Sequence, residues 1–349
     1  MKILVIAPSW IGDLVMSQCL YKELKKLYLN AEIHVMAPKW CLDVLKRMPE
    51  VSKSILMPIG HGALDIKTRY TIGKKLRDEQ YDQAYILPNS FKSALIPFFA
   101  KIPVRTGWLG EQRYFILTDI KKNKKDFPRL IERYTVLSHP DNEIRTSADI
   151  KDIPYPSLQT RPLNSDECMQ KFKIHTKSDV MGICPGAEYG LTKKWPPEYY
   201  AETAVKFLKK NSQREVWIFG STKDAETAEC IKQNIPDELA DKVLILAGKT
   251  TIEEAIDLLA VCSIVICNDS GLMHISAAVG TRLVAIFGST STLYTPPTTT
   301  EDKALMIEST EECHPCFKKT CRFGSLSCLK KLTPDIVRQK INAKWNDVL

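Results

Sequence analysis

The chain has 349 residues, which is too long for one ordinary domain and fits two. Its hydrophobic content of 44% and charged content of 26% are typical of a globular protein with a sizeable core in each half. The net charge of +8 favours anionic partners such as phosphates, nucleotides or an anionic membrane surface, although a solvated basic surface explains it equally well. It lacks the density of a nucleic-acid-binding arm, so we expect no nucleic-acid partner.

Neither a signal peptide nor a membrane-spanning segment is predicted. Lys2 precedes only a few apolar residues before Asp13, and no stretch reaches the roughly 18 apolar residues of a transmembrane helix. We therefore predict a cytoplasmic protein. In that compartment the 11 cysteines are expected to be free thiols or metal ligands rather than disulfides.

Apolar runs and amphipathic segments alternate along the first part of the chain. "KILVIA" predicts a buried strand, and "DLVMSQCLYKELKKLY" predicts an amphipathic helix because its leucines and methionine recur near helical spacing. The same alternation returns in "AEIHVMAP", "KWCLDVLKRMP", "YDQAYILPN" and "SFKSALIPFFA". Strands alternating with helices predict a parallel sheet in an α/β domain.

A polar, proline-rich segment at about residues 140–178 interrupts this alternation, and we interpret it as a linker. The alternation restarts at "VMGICPG" and runs to "LVAIFG", and the tail predicts a final helix. We therefore predict two doubly wound, Rossmann-like α/β domains facing a cleft, over residues 1–165 and 175–330, with a C-terminal helix over 331–349. Ligands of such sheets bind at the carboxyl ends of the strands.

The loop "CPGAEYGLTKKWPP" follows a predicted strand and is suited to binding phosphate. Gly186 and Gly190 allow a ligand to approach the backbone, and Lys193 and Lys194 can neutralise its charge. Thr192 is a further candidate for nucleotide binding in this loop. The alternative is a glycine loop with surface lysines.

A second loop, "NDSGLMHISAAVG", leads from a predicted strand into a helix. Ser270 and Gly271 place free N–H groups at the helix start, where an anion can bind. Asp269 precedes them, although an aspartate there is often an N-cap, and His274 is more often packed than catalytic. Two such loops in one domain favour diphosphate binding. The chain lacks a Walker loop and a G-x-G-x-x-G fingerprint, which weakens an NTPase or a dehydrogenase interpretation.

Four cysteines form the pattern C-x2-C-x4-C-x6-C, at Cys313, Cys316, Cys321 and Cys328. Four thiols this close can satisfy a tetrahedral Zn²⁺, so a structural zinc site is one interpretation. The uneven second pair does not match a standard zinc ribbon, and reduced thiols or an adventitious disulfide are the alternatives.

The first half carries its own cations, at Lys67, Arg69, Lys92, Arg105 and Arg113. Within it, "IPFFAKIPVRTGWLGEQRYF" interleaves aromatic rings with cations. Such a segment suits an anionic membrane surface, with cations in the headgroups and rings at the interface. The alternative is that its phenylalanines are core and its lysines solvated.

Taken together, these stretches resemble the bacterial ADP-heptose:lipopolysaccharide heptosyltransferases of glycosyltransferase family 9, and within it the heptosyltransferase II group. The resemblance covers nearly the whole chain. It rests on "APSWIGDLVMSQCLY", "MAPKWCLDVLKRMPEV", "PIGHGALDI", "LPNSFKSALIPFFAKIPVRTGW", "CPGAEYGLTKKWP", "NDSGLMHISAAVG", "TPP" and "CFKKTCRFG".

The resemblance implies a GT-B fold with an acceptor-binding N-terminal domain and a nucleotide-sugar-binding C-terminal domain. It makes the five cations of the first half, Lys67, Arg69, Lys92, Arg105 and Arg113, candidate acceptor-binding residues. It implies inverting transfer of heptose from ADP-L-glycero-β-D-manno-heptose to the first heptose of the inner core, on heptosyl-Kdo2-lipid A. No metal cofactor is expected for catalysis, since the family uses no DxD-bound metal. A lipid acceptor implies peripheral contact with the cytoplasmic face of the inner membrane.

The resemblance also assigns roles to residues. Asp13, which from the residues alone is either a helix cap or a base, matches the family's catalytic aspartate. Lys193 matches its phosphate-binding lysine, with Lys194 next to it, and both would stabilise the departing ADP. The loop from Asp269 to His274 matches the nucleotide-binding loop.

Two other classes remain open at this point. One is another GT-B nucleotide-sugar transferase or an epimerase with a different acceptor. The other is a non-enzymatic nucleotide-binding or metal-bearing interaction protein that has kept the fold.

Overall fold

The computed structural model describes residues 1–60, 62–161, 170–172, 174, 179–346 and 348–349. These residues form two compact units, Met1–Gln159 and Thr160–Leu349. The predicted domain limits at residues 165 and 175, and part of the predicted linker, lie outside the described residues. Within the described part of the chain, no helix is long and apolar enough to cross a membrane.

Each unit is built on a six-stranded sheet in which every neighbouring pair of strands is parallel. The strands of the N-terminal unit are β1 Lys2–Ile6, β2 Glu32–Ala37, β3 Val51–Leu56, β4 Gln83–Ile86, β5 Val104–Trp108 and β6 Asp119–Lys121. Those of the C-terminal unit are β7 Val180–Cys184, β8 Glu215–Ile218, β9 Val243–Ile245, β10 Ile264–Asn268, β11 Leu283–Phe287 and β12 Ala304–Glu308.

Helices form most of the crossovers that parallel pairing needs, whereas β5–β6 and β11–β12 are joined by segments without a helix. In the N-terminal unit they are α1 Ile11–Leu27, α2 Leu42–Leu45, α3 Ile66–Leu76, α4 Leu95–Phe99 and α5 Leu130–Thr135. In the C-terminal unit they are α6 Pro197–Lys210, α7 Ala225–Gln233, α8 Asp237–Ala240, α9 Ile252–Val261, α10 Gly271–Ala278, α11 Ser327–Lys330 and α12 Pro334–Lys344. The helix predicted over residues 331–349 is thus confined to α12.

The strand order places the ligand-binding edge of each sheet. The sheets run β3-β2-β1-β4-β5-β6 and β12-β11-β10-β7-β8-β9, so each reads 3-2-1-4-5-6 from its own first strand. In this order the chain winds in opposite directions on either side of the first strand, which opens a crevice at the carboxyl ends of the two central strands. That crevice lies beyond β1 and β4 in one unit and beyond β7 and β10 in the other. The predicted doubly wound α/β fold is confirmed.

Continuous burial explains why the central strands were visible as apolar runs. Every residue of β7, β10 and β11 is buried, because helices cover both faces of the sheet. The edge strand β3 is exposed or half-buried throughout and carries "VSKSIL", a much weaker apolar pattern.

Candidate active site

A charged pair joins the two loops predicted to bind phosphate. The Lys193 ammonium, beyond β7, donates to Oδ2 of Asp269, beyond β10, at 2.5 Å. The Thr290 hydroxyl donates to the same carboxylate oxygen at 2.7 Å. The side chains of Lys193 and Asp269 are 14% and 5% exposed, so solvent screens the pair weakly. The ammonium is therefore held at the central crevice of this sheet.

The neighbouring cation, Lys194, faces a different carboxylate. Its Nζ lies 3.5 Å from Oδ1 of Asp224, whose other oxygen accepts from the hydroxyl and backbone N–H of Ser221. Gly186 makes this approach possible, because a Cβ there would lie 2.6 Å from Oδ2 of Asp224. Gly186 thus gives space to a protein carboxylate, which corrects the prediction that this space serves a ligand.

A buried amide fixes the strand ends around these lysines. Asn268, at the end of β10, donates through Nδ2 to the Pro185 carbonyl at 2.6 Å. Its Oδ1 accepts from the backbone N–H of Trp195 at 3.0 Å and from the Tyr200 hydroxyl at 2.9 Å. Asn268 is fully buried, so breaking these bonds would leave polar groups unsatisfied. The loops beyond β7 and β10 are therefore rigidly joined.

Helix α10 begins beside the charged pair. Its N-cap is Ser270, and the Ser270 side chain makes no capping hydrogen bond, so it does not satisfy the N–H groups of the first turn. Asp269 is not the N-cap, contrary to one of the alternatives considered for it. The amides that start at Gly271 are suited to an anion, and the Lys193 ammonium lies on the same crevice.

His274 lies one turn inside α10 and is 4% exposed. Burial lowers the pKa of His274 to about 4; Asp269 acts to raise it and Lys193 to lower it. The imidazole is therefore neutral at physiological pH. Within the described part of the chain its Nδ1 is buried without a hydrogen-bond partner. A neutral ring with one unsatisfied nitrogen is suited to hydrogen bonding with a bound ligand.

Thr192 does not present its side chain to a ligand. It is 1% exposed, and its hydroxyl donates to the Lys318 carbonyl at 2.5 Å and accepts from the Ser289 hydroxyl at 3.1 Å. The interpretation of Thr192 as a direct nucleotide contact is therefore corrected: its hydroxyl holds the lysine loop to another segment of the unit.

Asp13 occupies the first turn of α1, beyond the central strand β1. The helix begins at Ile11 with Trp10 as N-cap, so Asp13 is its third residue and not its cap. It is half-buried. A carboxylate in the first turn lies at the positive end of the helix dipole, which is a favourable place for negative charge.

A cavity of about 130 Å³ opens at the carboxyl ends of the N-terminal strands. Ser9 and Trp40, which follow β1 and β2, line it together with Lys92 and Arg69. The Lys92 ammonium also donates to the Gly62 carbonyl at 2.6 Å. Lys67, on α3, is exposed and is not among the lining residues.

Three predicted acceptor-binding arginines instead hold the backbone. Arg69 donates to the carbonyls of three loop residues, at 2.5 to 3.1 Å. Arg105 donates to the Ile116 carbonyl at 2.6 Å. Arg113 is completely buried and donates to the carbonyls of Pro88, Ser90 and Trp108. The expectation that Arg69 and Arg113 reach an acceptor is corrected, because both side chains are buried and donate to several carbonyls. Arg105 is less buried, and its guanidinium also lies beside the Phe98 ring.

The cysteine pattern does not form a metal centre among the described residues. Cys328 is near Cys313, Cys316 and Cys321: burial chiefly, and then these neighbours, raise the pKa of its thiol to about 11. Backbone hydrogen bonds lower the pKa of the Cys321 thiol, so the thiols of this segment differ in acidity. Within the described chain no group of three or more His, Cys, Asp or Glu side chains could hold a metal ion, and all four thiols are free. The zinc interpretation itself stays a prediction.

Comparison with known proteins identifies the family. The protein-family model described as "Glycosyltransferase family 9 (heptosyltransferase)" matches residues 69–327 of the chain. The chain belongs to glycosyltransferase family 9. It is 46% identical over 347 residues to lipooligosaccharide heptosyltransferase 2 of Haemophilus influenzae, covering 98% of this chain and 99% of that protein. Lipopolysaccharide heptosyltransferase 2 of Escherichia coli is 43% identical over 345 residues, covering 98% of both.

The solved structure of the E. coli ADP-heptose lipopolysaccharide heptosyltransferase II has the same fold as this family 9 chain. The two superpose with a TM-score of 0.87 at 40% identity, and the alignment covers 98% of each chain. The predicted membership of glycosyltransferase family 9 is confirmed.

Several groups of this family 9 site were missed by sequence reasoning. Asp224 carried a signal, since Ser221 and Asp224 have the spacing of a capping box, which indicates a helix start and not a partner for a lysine. Asn268 and Thr290 carried none, because an amide at a strand end and a threonine in a loop are common. Their partners lie 21 to 83 residues away in sequence.

Proposed function

We propose that this chain is an inverting glycosyltransferase that moves L-glycero-D-manno-heptose from ADP-heptose to the first heptose of the lipopolysaccharide inner core. The observation that carries the proposal is identity of 43 to 46% to heptosyltransferase 2 proteins across almost the entire chain. The site supports it, since a paired lysine and a helix start at one crevice suit a diphosphate.

The transfer is a single displacement. The acceptor hydroxyl oxygen forms a bond to C1 of the heptose while the bond from C1 to the β-phosphate oxygen of ADP breaks. The leaving ADP keeps the electron pair, and the hydroxyl proton passes to the Asp13 carboxylate. Because attack and departure occur on opposite faces of C1, the β-linked donor gives an α-linked product.

Asp13 is the proposed general base. Its place in the first turn of α1, beyond the central strand, puts it at a strand end where ligands bind. General base catalysis contributes roughly 10² to 10⁴ to such a rate.

On the donor side, Lys193 is the proposed partner of the leaving diphosphate. Negative charge grows on ADP as the C1–O bond breaks, and a fixed ammonium stabilises that charge more than it stabilises the intact donor. Lys194, the backbone N–H groups from Gly271 and the neutral His274 complete the proposed phosphate contacts, and Asp269 holds Lys193 in place.

The cavity in the N-terminal unit is the proposed acceptor subsite. It lies at the strand ends next to the start of α1, and Ser9, Ser90 and Lys92 give it polar groups beside apolar walls. Such a mixture suits a sugar, whose ring faces are apolar and whose edges carry hydroxyls.

Peripheral contact with the cytoplasmic face of the inner membrane is the remaining part of the proposal. We assign it to an aromatic patch formed by Tyr70, Phe98, Tyr114 and Phe115. Phe115 is 92% exposed. The rings of Tyr70 and Phe98 each lie within 5.6 Å of Phe99, measured between centroids, and the guanidinium of Arg105 lies 5.7 Å from the Phe98 ring.

Charge complements this patch. Arg105 also donates to the carbonyl of Ile116, next to Phe115, which brings the two aromatic segments together. The exposed ammonium groups of Lys67 and Lys101 flank them in sequence. Exposed rings with cations nearby suit an anionic lipid surface.

The test of this patch is flotation with vesicles containing phosphatidylglycerol. The double variant Phe98→Ser/Phe115→Ser should bind the vesicles less than the wild type does. Leu29→Ser, at another exposed site of this unit, should bind them as the wild type does. Equal binding by the wild type, the double variant and Leu29→Ser would refute a role for the patch in membrane binding.

A transfer assay tests the function itself. Purified protein is mixed with ADP-heptose and heptosyl-Kdo2-lipid A, with EDTA present, and the products are weighed by mass spectrometry. We expect one added heptose, with no requirement for a free divalent metal. ADP binding without addition would instead favour another nucleotide-sugar transferase or an epimerase. Absence of both would contradict the proposed donor site.

A further inference from the structure

The cysteine-rich segment at residues 313–328, here called the cysteine loop, is used by no part of the proposed reaction. It nevertheless packs against the lysine loop, Tyr189–Lys194, through three consecutive main-chain carbonyls. The carbonyl of Phe317 accepts from the Tyr189 hydroxyl at 2.6 Å, and that of Lys318 accepts from the Thr192 hydroxyl at 2.5 Å.

The third carbonyl makes the closest approach. A Cβ on Gly190 would lie 2.6 Å from the Lys319 carbonyl oxygen, so only glycine fits at this place. Gly190 also has φ of +152°, which a residue with a side chain rarely adopts. The cation of Lys319 lies 5.6 Å from the Tyr189 ring centroid, and that of Lys193 lies 5.0 Å from it. The two loops are therefore fitted along their length.

The cysteine loop is itself anchored to the strand end beyond β11. The Phe317 N–H donates to the Ser289 carbonyl at 2.8 Å, and His314 Nδ1 lies 2.8 Å from the Gly288 carbonyl oxygen. Ser289 in turn donates its N–H to the Thr192 carbonyl at 3.1 Å. The next residue, Thr290, holds Asp269, the carboxylate that pairs with Lys193.

We propose that the cysteine loop is a positioning element for the donor site, and that Thr192 and Tyr189 are positioning residues that act through Lys193. Hydrogen bonds from Thr192 and Tyr189 fix the backbone that carries Lys193, while Thr290 and Asp269 fix its ammonium. The ammonium is thus held from both ends. The inference rests on the proposed donor site for its effect on ADP, but the attachment of the two loops can be measured without ADP.

Thr192→Val is the decisive variant, since it keeps the shape and removes the buried hydroxyl, leaving the Lys318 carbonyl without this donor. Thr192→Ser keeps the hydroxyl. Thr281→Val is the matched control: Thr281 is also buried, and its hydroxyl donates to the Leu259 carbonyl at 2.8 Å in the same unit, between elements other than the lysine loop.

The affinity for ADP, measured by titration calorimetry, separates positioning from stability. Thr192→Val should weaken ADP binding about tenfold, Thr192→Ser should restore it to within about twofold, and Thr281→Val should lower Tm alone. In the transfer assay Thr192→Val should raise KM for the donor and leave KM for the acceptor unchanged. Wild-type ADP affinity in Thr192→Val, with Tm lowered as in Thr281→Val, would overturn the proposal.

Amide hydrogen exchange provides the readout that needs no ligand. The N–H groups of Lys193 and Lys194 bond to carbonyls within their own loop, at 3.2 and 3.0 Å. Both amides should exchange faster in Thr192→Val and in Tyr189→Phe than in the wild type, and unchanged exchange would contradict the attachment. A further outcome is that the wild type binds no ADP while the variants still exchange these amides faster than the wild type does. In that case the proposed donor site would fail, and the attachment of the cysteine loop to the lysine loop would stand.

Discussion

The cations of the two units are used in different ways. In the C-terminal unit, Lys193 and Lys194 pair with carboxylates at a strand end. In the N-terminal unit, Arg69 and Arg113 donate to main-chain carbonyls that join loops. An ammonium beside a carboxylate can turn toward an incoming phosphate. A guanidinium that donates to several carbonyls cannot move away without leaving those carbonyls unpaired, which costs free energy. Charge alone therefore does not distinguish a ligand-binding cation from a structural one.

The largest expected effect is on the base. Asp13→Asn keeps the shape and removes the charge, so turnover should fall by roughly 10³ because no group takes the acceptor proton. ADP affinity should stay at the wild-type value, since we place ADP binding on the lysine loop. Steady-state transfer rates and calorimetry measure the two quantities. Turnover above a tenth of the wild-type rate would exclude Asp13 as the base.

The next effect tests the structural cations. Arg113→Met removes the donors to three carbonyls at a fully buried position, which should lower the free energy of unfolding by about 3 kcal/mol. Urea unfolding followed by tryptophan fluorescence measures it. Arg145→Met, at an exposed arginine, is the control and should change it by less than about 0.5 kcal/mol. Unchanged stability with weakened acceptor binding would return Arg113 to the acceptor site.

Substitution of Lys193 should lower kcat/KM for the donor more than substitution of Lys194 does. Lys193→Met should lower kcat/KM for the donor about 100-fold, because a half-buried, fixed cation that we propose to contact the diphosphate is lost. Lys194→Met should lower it about tenfold, since Lys194 is more exposed and its pairing with Asp224 is longer, at 3.5 Å. Donor kinetics of the two variants give the comparison. A larger loss in Lys194→Met would reverse the assigned roles.

The smallest effect is a dependence on pH. The pKa of His274 is lowered to about 4 in the folded chain, whereas an unfolded histidine titrates near 6.5. Between these values the unfolded chain binds more protons, so stability falls as pH falls from 7 toward 4. This histidine should account for about 2 kcal/mol between pH 7 and pH 5. Urea unfolding of the wild type and of His274→Gln at both values measures it, and parallel curves would contradict the buried, neutral histidine.

The fold was predictable because its signal is local and repeated. β7, β10 and β11 are buried on both faces and read as unbroken apolar runs. Element ends were less visible. The helix expected to start at Asp13 starts at Ile11, because its N-cap, Trp10, is not a residue type that marks a helix start.

The site was predictable one loop at a time. Lys193 and Asp269 were each found from loop chemistry, but their pairing was not, because 76 residues separate them. The prediction that Arg113 binds an acceptor was wrong for the same reason. Its charge is written in the sequence, whereas the carbonyls that surround it come from residues 5 to 25 positions away and become neighbours only in the folded chain.

The anomeric configuration of the product tests the central claim most directly. Heptosyl-Kdo2-lipid A is treated with the protein and ADP-L-glycero-β-D-manno-heptose, and the new linkage is read from the one-bond C1–H1 coupling by NMR. The account predicts a single added heptose that is α-linked, as inversion with Asp13 as the base requires. A β-linked product, or release of ADP with no new glycosidic bond, would contradict it.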